Sequence, residues 1–116
     1  NVRDLTPTEV NAVMDGLPEL VVIDVSFVGL AHIFPTIASL TEPGTPVVAL
    51  VKPQFEVGRK NLSRAGIVRN PALRAKALEE VKNVASKCGF SVFGTLESPI
   101  RGGDGNHEYL LRLKKL

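Results

Sequence analysis

Two apolar runs, each closed by a charged or polar end, constrain this chain more than any other feature. Leu20-Val21-Val22-Ile23-Asp24-Val25-Ser26 and Thr45-Pro46-Val47-Val48-Ala49-Leu50-Val51-Lys52 are nearly continuous and rich in β-branched side chains. That is the pattern of parallel strands covered on both faces, not the alternation of a strand with one wet side. Between the runs, Leu30, Ile33, Phe34, Ile37 and Leu40 recur at helical spacing, with Pro35 either kinking that helix or sitting in its first turn. Glu42-Pro43-Gly44 stops it. Strand, helix and strand in this order make a β-α-β crossover, and Pro53, which cannot donate a ladder bond, ends the second strand.

The flanking segments extend the same alternation. Thr6-Pro7-Thr8-Glu9 combines an N-cap hydroxyl, proline at N1 and glutamate at N3, so a short helix starts there and ends near Gly16. The stretch from Gln54 to Arg69 is polar and basic without clear periodicity, a loop of a length that in small domains is usually functional or mobile. Asn70-Pro71 caps a helix that carries Leu73, Leu78, Val81, Val84, Ala85 and Cys88 on one face and closes at Gly89. Phe90 to Leu96 reads as a third strand. A loop over Ser98–Asn106, with Pro99, Gly102, Gly103 and Gly105, leads into a last strand at Glu108–Leu113, and so short a connection makes these two strands antiparallel. The order α-β-α-β-α-β-β predicts a doubly wound α/β sheet.

At 116 residues the chain suffices for one domain. With 44% hydrophobic and 22% charged residues it is ordinary globular material, which argues against a disordered or low-complexity segment. The single Cys88 forms no internal disulfide and no cysteine metal cluster, and the chain has no run of about 18 apolar residues and no signal-like start, so a cytoplasmic protein that is neither membrane-spanning nor visibly targeted is expected. The net charge of +2 hides an asymmetry: residues 1–51 hold six acids and one base, whereas residues 52–76 hold seven bases and one acid. Lys52, Arg59, Lys60, Arg64, Arg69, Arg74 and Lys76 concentrated in this way can attract a polyanion, the alternative being a solvated basic loop.

In open α/β sheets the ligand crevice lies beyond the carboxyl ends of the parallel strands. Asp24 and Lys52 terminate successive buried strands there, and Glu108, at the start of an antiparallel strand, enters from the same rim, so the three are expected to converge. Lys52 then acts as a general base if desolvation dominates, or stays charged and positions a substrate if the two carboxylates dominate. The two histidines, His32 and His107, are too isolated for a catalytic metal, and no metal site is expected. Gly102-Gly103-Asp104-Gly105 lies between strands instead of opening a helix, so it is not a phosphate cradle.

Four strings carry a family resemblance across nearly the whole chain: Asp24-Val25-Ser26-Phe27, Ala49-Leu50-Val51-Lys52-Pro53-Gln54-Phe55-Glu56, Gly66-Ile67-Val68-Arg69-Asn70-Pro71, and Ser98-Pro99-Ile100 with Gly105-Asn106-His107-Glu108. Together they resemble the TlyA family of FtsJ-like RNA methyltransferases, historically labelled hemolysins. The resemblance implies a Rossmann-like sheet and S-adenosylmethionine-dependent methylation of ribose 2′-hydroxyls in ribosomal RNA, through a Lys-Asp-Lys-Glu tetrad whose last three members fall on Asp24, Lys52 and Glu108. It also implies that Asp24, Ser26 and Phe27 line the methyl end of the cofactor. The family's S4-like RNA-binding module, first tetrad lysine and glycine-rich cofactor loop have no counterpart here. The chain is therefore expected to be the C-terminal part of a methyltransferase domain, inactive by itself.

Two other functions compete with that expectation. A non-catalytic RNA-binding module would use the basic segment 59–76, with Arg59, Lys60, Arg64 and Arg69 on phosphates, because aromatic residues are not interleaved with them for base stacking. A membrane-lytic hemolysin finds no support, since no strongly amphipathic basic surface helix is apparent. The partners expected are ribosomal RNA or ribosomal subunits, and a second copy of the chain through the edge of the strand that holds Asp24.

Overall fold

The computed structural model describes residues 2–102 and 105–116; Gly103 and Asp104, half of the glycine-rich string considered above, lie outside the described residues. Helix α1 spans Pro7–Met14 and begins with the capping box that Thr6 and Glu9 encode. The Thr6 hydroxyl accepts from the Glu9 amide at 3.3 Å, and the Glu9 carboxylate accepts from the Thr6 amide at 2.8 Å. The Thr6 amide, and with it the Thr6 hydroxyl, which donates to the same carboxylate at 2.9 Å, hold the Glu9 carboxyl below its ordinary range. The helix buries no residue, so its ends are specified by local chemistry and not by packing.

Strand β1 (Val21–Ile23), helix α2 (Phe34–Leu40) and strand β2 (Pro46–Val51) form the expected crossover, with β1 and β2 parallel and Val22 beside Val48. A 3₁₀ turn at Leu30–His32 leads into α2, and Pro35 sits in the first turn of that helix, where a missing N–H costs no intrahelical bond. Helix α3 (Pro71–Lys87) is capped by the Asn70 side chain, which accepts from the Ala72 amide at 2.9 Å. Strands β3 (Phe90–Glu97) and β4 (Tyr109–Lys115) pair antiparallel, and β4 inserts between β2 and β3 to give the order β1-β2-β4-β3.

Burial alternates along the sheet. Val47, Ala49 and Val51 of β2 and Leu111 and Leu113 of β4 are inaccessible, and they form one cluster with Ile33, Phe34 and Ile37 near α2, Val81 and Ala85 of α3, and Phe90. Phe34 and Phe90 meet tilted, 5.8 Å between centroids. The opposite sheet face is partly open: Val22 is 69% exposed, and Phe93 lies under Arg112 and Lys114 in cation–π contact. This corrects the expectation of strands covered on both faces. Crossovers share one hand, so β1-α2-β2 and β2-α3-β3, which step in the same direction across the sheet, lay both helices on one face. β1 is an edge strand of the described sheet.

Candidate active site

Asp24 and Lys52 follow the last residues of β1 and β2, so parallel pairing of those strands carries both side chains to one rim. There the Lys52 ammonium lies 2.5 Å from Asp24 Oδ1 and donates to the Ser26 hydroxyl at 3.2 Å. Lys52 also forms part of an open cleft of about 410 Å³, together with Ser26, Phe27, Gln54, Asn106 and Glu108. Glu108 precedes β4, whose antiparallel direction returns it to the same rim, as expected from sequence. Its carboxylate is buried at 7% exposure and accepts from Gln54 Nε2 at 2.7 Å. Glu108 thus shares the cleft with Lys52, while its hydrogen bond goes to Gln54.

Among the described residues Phe27 is the most exposed large apolar side chain at 90%, and it adopts φ 62°, an uncommon conformation for a bulky residue. Its ring stands 4.9 Å from that of Phe55, inclined by 52°. The two phenyl groups line both the main cleft and a smaller depression that Gly58 and Arg59 complete. Strain of this kind at a cleft mouth is characteristic of ligand-contacting turns.

Three residues that sequence reasoning left without a role hold the site together. Asn106, 3% exposed, accepts from the Val68 amide at 3.0 Å and donates to the Gly66 carbonyl at 3.0 Å, tying the long basic loop to the entry of β4. Gln54 fixes Glu108. Gly102 lies so close to Glu108 that a β-carbon there would overlap its carboxylate. Gln54 and Asn106 stand inside the motif strings quoted above; for Gly102 no local signal distinguishes it from its glycine neighbours.

Glu56 braces the site from behind. Its Oε1 accepts from the Leu30 amide at 2.9 Å, linking the segment after Phe27 to the turn that holds Phe55. Burial raises the Glu56 carboxyl above its ordinary range, and the Leu30 amide opposes that shift. The basic residues of the loop separate in space: Arg59 borders the aromatic depression, Arg69 lines a different groove with Arg74 and His107, and Lys60 and Arg64 are exposed on the loop between them. Among the described residues there is no group of three or more His, Cys, Asp or Glu side chains placed to hold a metal, and no helix long and apolar enough to cross a membrane.

Known proteins are similar to this chain in sequence and in fold. A candidate rRNA methyltransferase, YqxC of Bacillus subtilis, is 43% identical over 113 residues, which are 97% of this chain and 39% of that protein. The 16S/23S rRNA (cytidine-2'-O)-methyltransferase TlyA of Mycobacterium tuberculosis is 39% identical over 114 residues, covering 98% of this chain and 41% of that protein. A solved structure described as a candidate hemolysin from Streptococcus thermophilus superposes with a TM-score of 0.92 at 46% identity, over 99% of this chain and 40% of that one. The chain thus spans about two fifths of the length of the curated relatives it matches. The FtsJ-like methyltransferase model matches residues 1–115, and the chain belongs to that family.

Proposed function

We propose that this chain is the C-terminal catalytic part of an S-adenosylmethionine-dependent methyltransferase acting on ribose 2′-hydroxyls of ribosomal RNA. The observation that carries the reading is the Lys52–Asp24 ion pair at the mouth of a cleft that Glu108 also lines. Relatives named as rRNA 2'-O-methyltransferases support the substrate class.

The residues present fit the charged end of the methyl donor. A sulfonium centre is a compact cation, and the Asp24 carboxylate with the exposed face of Phe27 is a suitable donor set for one. When bound, the cofactor supplies an electrophilic methyl group. Lys52, once its resting ammonium has given up a proton, would take the proton from the ribose 2′-hydroxyl, and Asp24, its ion-pair partner, would stabilise the ammonium that forms again. Ser26 orients the Lys52 nitrogen, and Glu108, fixed by Gln54, borders the bound ribose. Arg59, Lys60, Arg64 and Arg69 hold the RNA backbone through its phosphates.

The chain associates with a second copy through the outer edge of β1 in the described sheet, where Leu20 and Val22 are exposed. A single monomeric species in light scattering at high concentration would remove that part of the proposal. The central test is transfer of labelled methyl groups from S-adenosylmethionine to ribosomal RNA and ribosomal subunits by the intact gene product, its Lys52→Ala variant and this chain. Label on ribose that vanishes in the variant is the expected result. No label on any RNA substrate, with binding retained, would make the protein a phosphate-directed RNA-binding module instead.

A further inference from the structure

We infer that the groove formed by Arg69, Arg74 and His107 is a second RNA subsite, holding a backbone phosphate next to the nucleotide in the catalytic cleft. The inference rests on the RNA-methyltransferase reading for the identity of the polymer. The groove, about 420 Å³, is bounded by Ile67, Val68, Arg69, Arg74, Gly105 and His107. It therefore draws on the same two segments as the catalytic cleft, from their other side. In the entry to β4, Asn106 and Glu108 face the cleft while Gly105 and His107 face the groove; in the basic loop, Gly66 faces the cleft while Val68 and Arg69 face the groove. The Asn106 bonds to Gly66 and Val68 form the wall between them. A strand whose ribose enters the cleft passes over that wall, and its neighbouring phosphate meets the groove.

The chemistry of the groove suits an anion. Its charged lining consists of two guanidinium groups, with an imidazole beside them and no acid among the described lining residues. Arg74 Nη1 donates to the Val68 and Arg69 carbonyls at 3.1 and 3.3 Å, which fixes the guanidinium against the loop. Its Nε–H is buried and has no acceptor among the described residues, so a phosphate would meet the guanidinium through its accessible nitrogen edge. The nearby carboxylate of Glu97 is already engaged, by His107 Nδ1 at 2.5 Å and Arg101 at 3.7 Å.

The test compares the intact gene product with Arg69→Gln and Arg74→Gln, measuring affinity for radiolabelled ribosomal RNA at several salt concentrations beside kcat and KM for methyl transfer. The Arg74 guanidinium holds the loop through two carbonyls, whereas the Arg69 side chain is exposed at its end. Arg69→Gln therefore remains informative if Arg74→Gln loosens the loop and lowers the melting temperature. Each variant is expected to weaken RNA binding several-fold and to make the logarithmic salt dependence shallower by about 0.7–0.9 for each phosphate no longer neutralised. KM for RNA rises while kcat at saturating RNA is retained. Wild-type RNA affinity and salt slope in a folded Arg69→Gln protein would overturn the subsite. Methyl transfer absent from the wild type, with RNA affinity still weakened in both variants, would retain the groove and refute the methyltransferase reading.

Discussion

The Lys52 ammonium lies 2.5 Å from Asp24 Oδ1, yet the lysine side chain is 13% exposed and the aspartate 63%. The cation is enclosed and its counter-ion faces outward, so Asp24 can also meet a ligand without leaving Lys52. Lys52→Arg separates the two roles open to this lysine. Arginine preserves a cation beside Asp24 but does not give up its proton, whereas general-base catalysis contributes about 10²–10⁴-fold. Methyl transfer is expected to fall by about that factor with RNA affinity retained. Near-normal turnover in Lys52→Arg would assign the residue to charge positioning alone.

Gly102→Ala tests how tightly Glu108 is held. The added methyl would occupy the space of the Glu108 carboxylate, which is buried and bonded to Gln54. The carboxylate must move, and Gln54 loses its acceptor in a buried setting, a cost of about 1–3 kcal/mol. A lower melting temperature together with reduced kcat is expected, and Gly102→Ala combined with Glu108→Asp, whose shorter side chain gives room, should recover part of the stability.

Asn106→Ala should detach the basic loop from the sheet. The Val68 amide, on a residue 1% exposed, loses the acceptor 3.0 Å away, and the Gly66 carbonyl loses its donor. Leaving such buried groups unpaired costs about 1–3 kcal/mol, enough for a drop of several degrees in melting temperature. Hydrogen exchange at the Val68 amide should accelerate more than exchange in β2, because the missing bond belongs to the loop and not to the ladder. Equal acceleration everywhere would mean that Asn106 serves global stability and not the loop in particular.

The parts of this molecule that were legible in its sequence are those encoded within a few residues. The Thr6–Glu9 capping box, the Asn70 cap and the strand-ending positions of Asp24 and Lys52 depend on local spacing and on the single fact that β1 and β2 run parallel. What was missed depends on residues far apart in the chain. Gln54 meets Glu108 across 54 positions and Asn106 meets Val68 across 38, and neither pairing has a local signature. The open sheet face was misread for a related reason: apolar runs such as Leu20–Ile23 report the hydrophobicity of both faces of a strand, but not which face this chain's helices cover. The basic loop looked like one patch in sequence because charge density along a chain carries no direction; folding sends Arg59 to the aromatic depression and Arg69 to the far groove.

Glu56 gives the fold a defined response to pH. Burial raises its carboxyl above the ordinary value of 4.5, with the Leu30 amide at 2.9 Å only partly offsetting that effect. An acid whose folded-state pKa is raised binds its proton more tightly in the folded chain than in the unfolded one. Its contribution to stability is therefore fully present below about 4.5 and is lost as pH rises through the folded-state value. At neutral pH the ionised, half-buried carboxylate is a net cost that the fold carries while using Glu56 to tie Leu30 to the turn behind Phe55. Glu56→Gln keeps an oxygen to accept from the Leu30 amide and removes the charge. The variant is expected to melt above the wild type at neutral pH, and the gap should close as pH falls below 4.5, where both side chains are neutral. Thermal melts of the two proteins across that range measure the difference directly. A variant that melts below the wild type at neutral pH, with the gap again closing in acid, would mean that the charge-assisted bond to Leu30 outweighs burial, and that the ionised form of Glu56 is the one the site depends on.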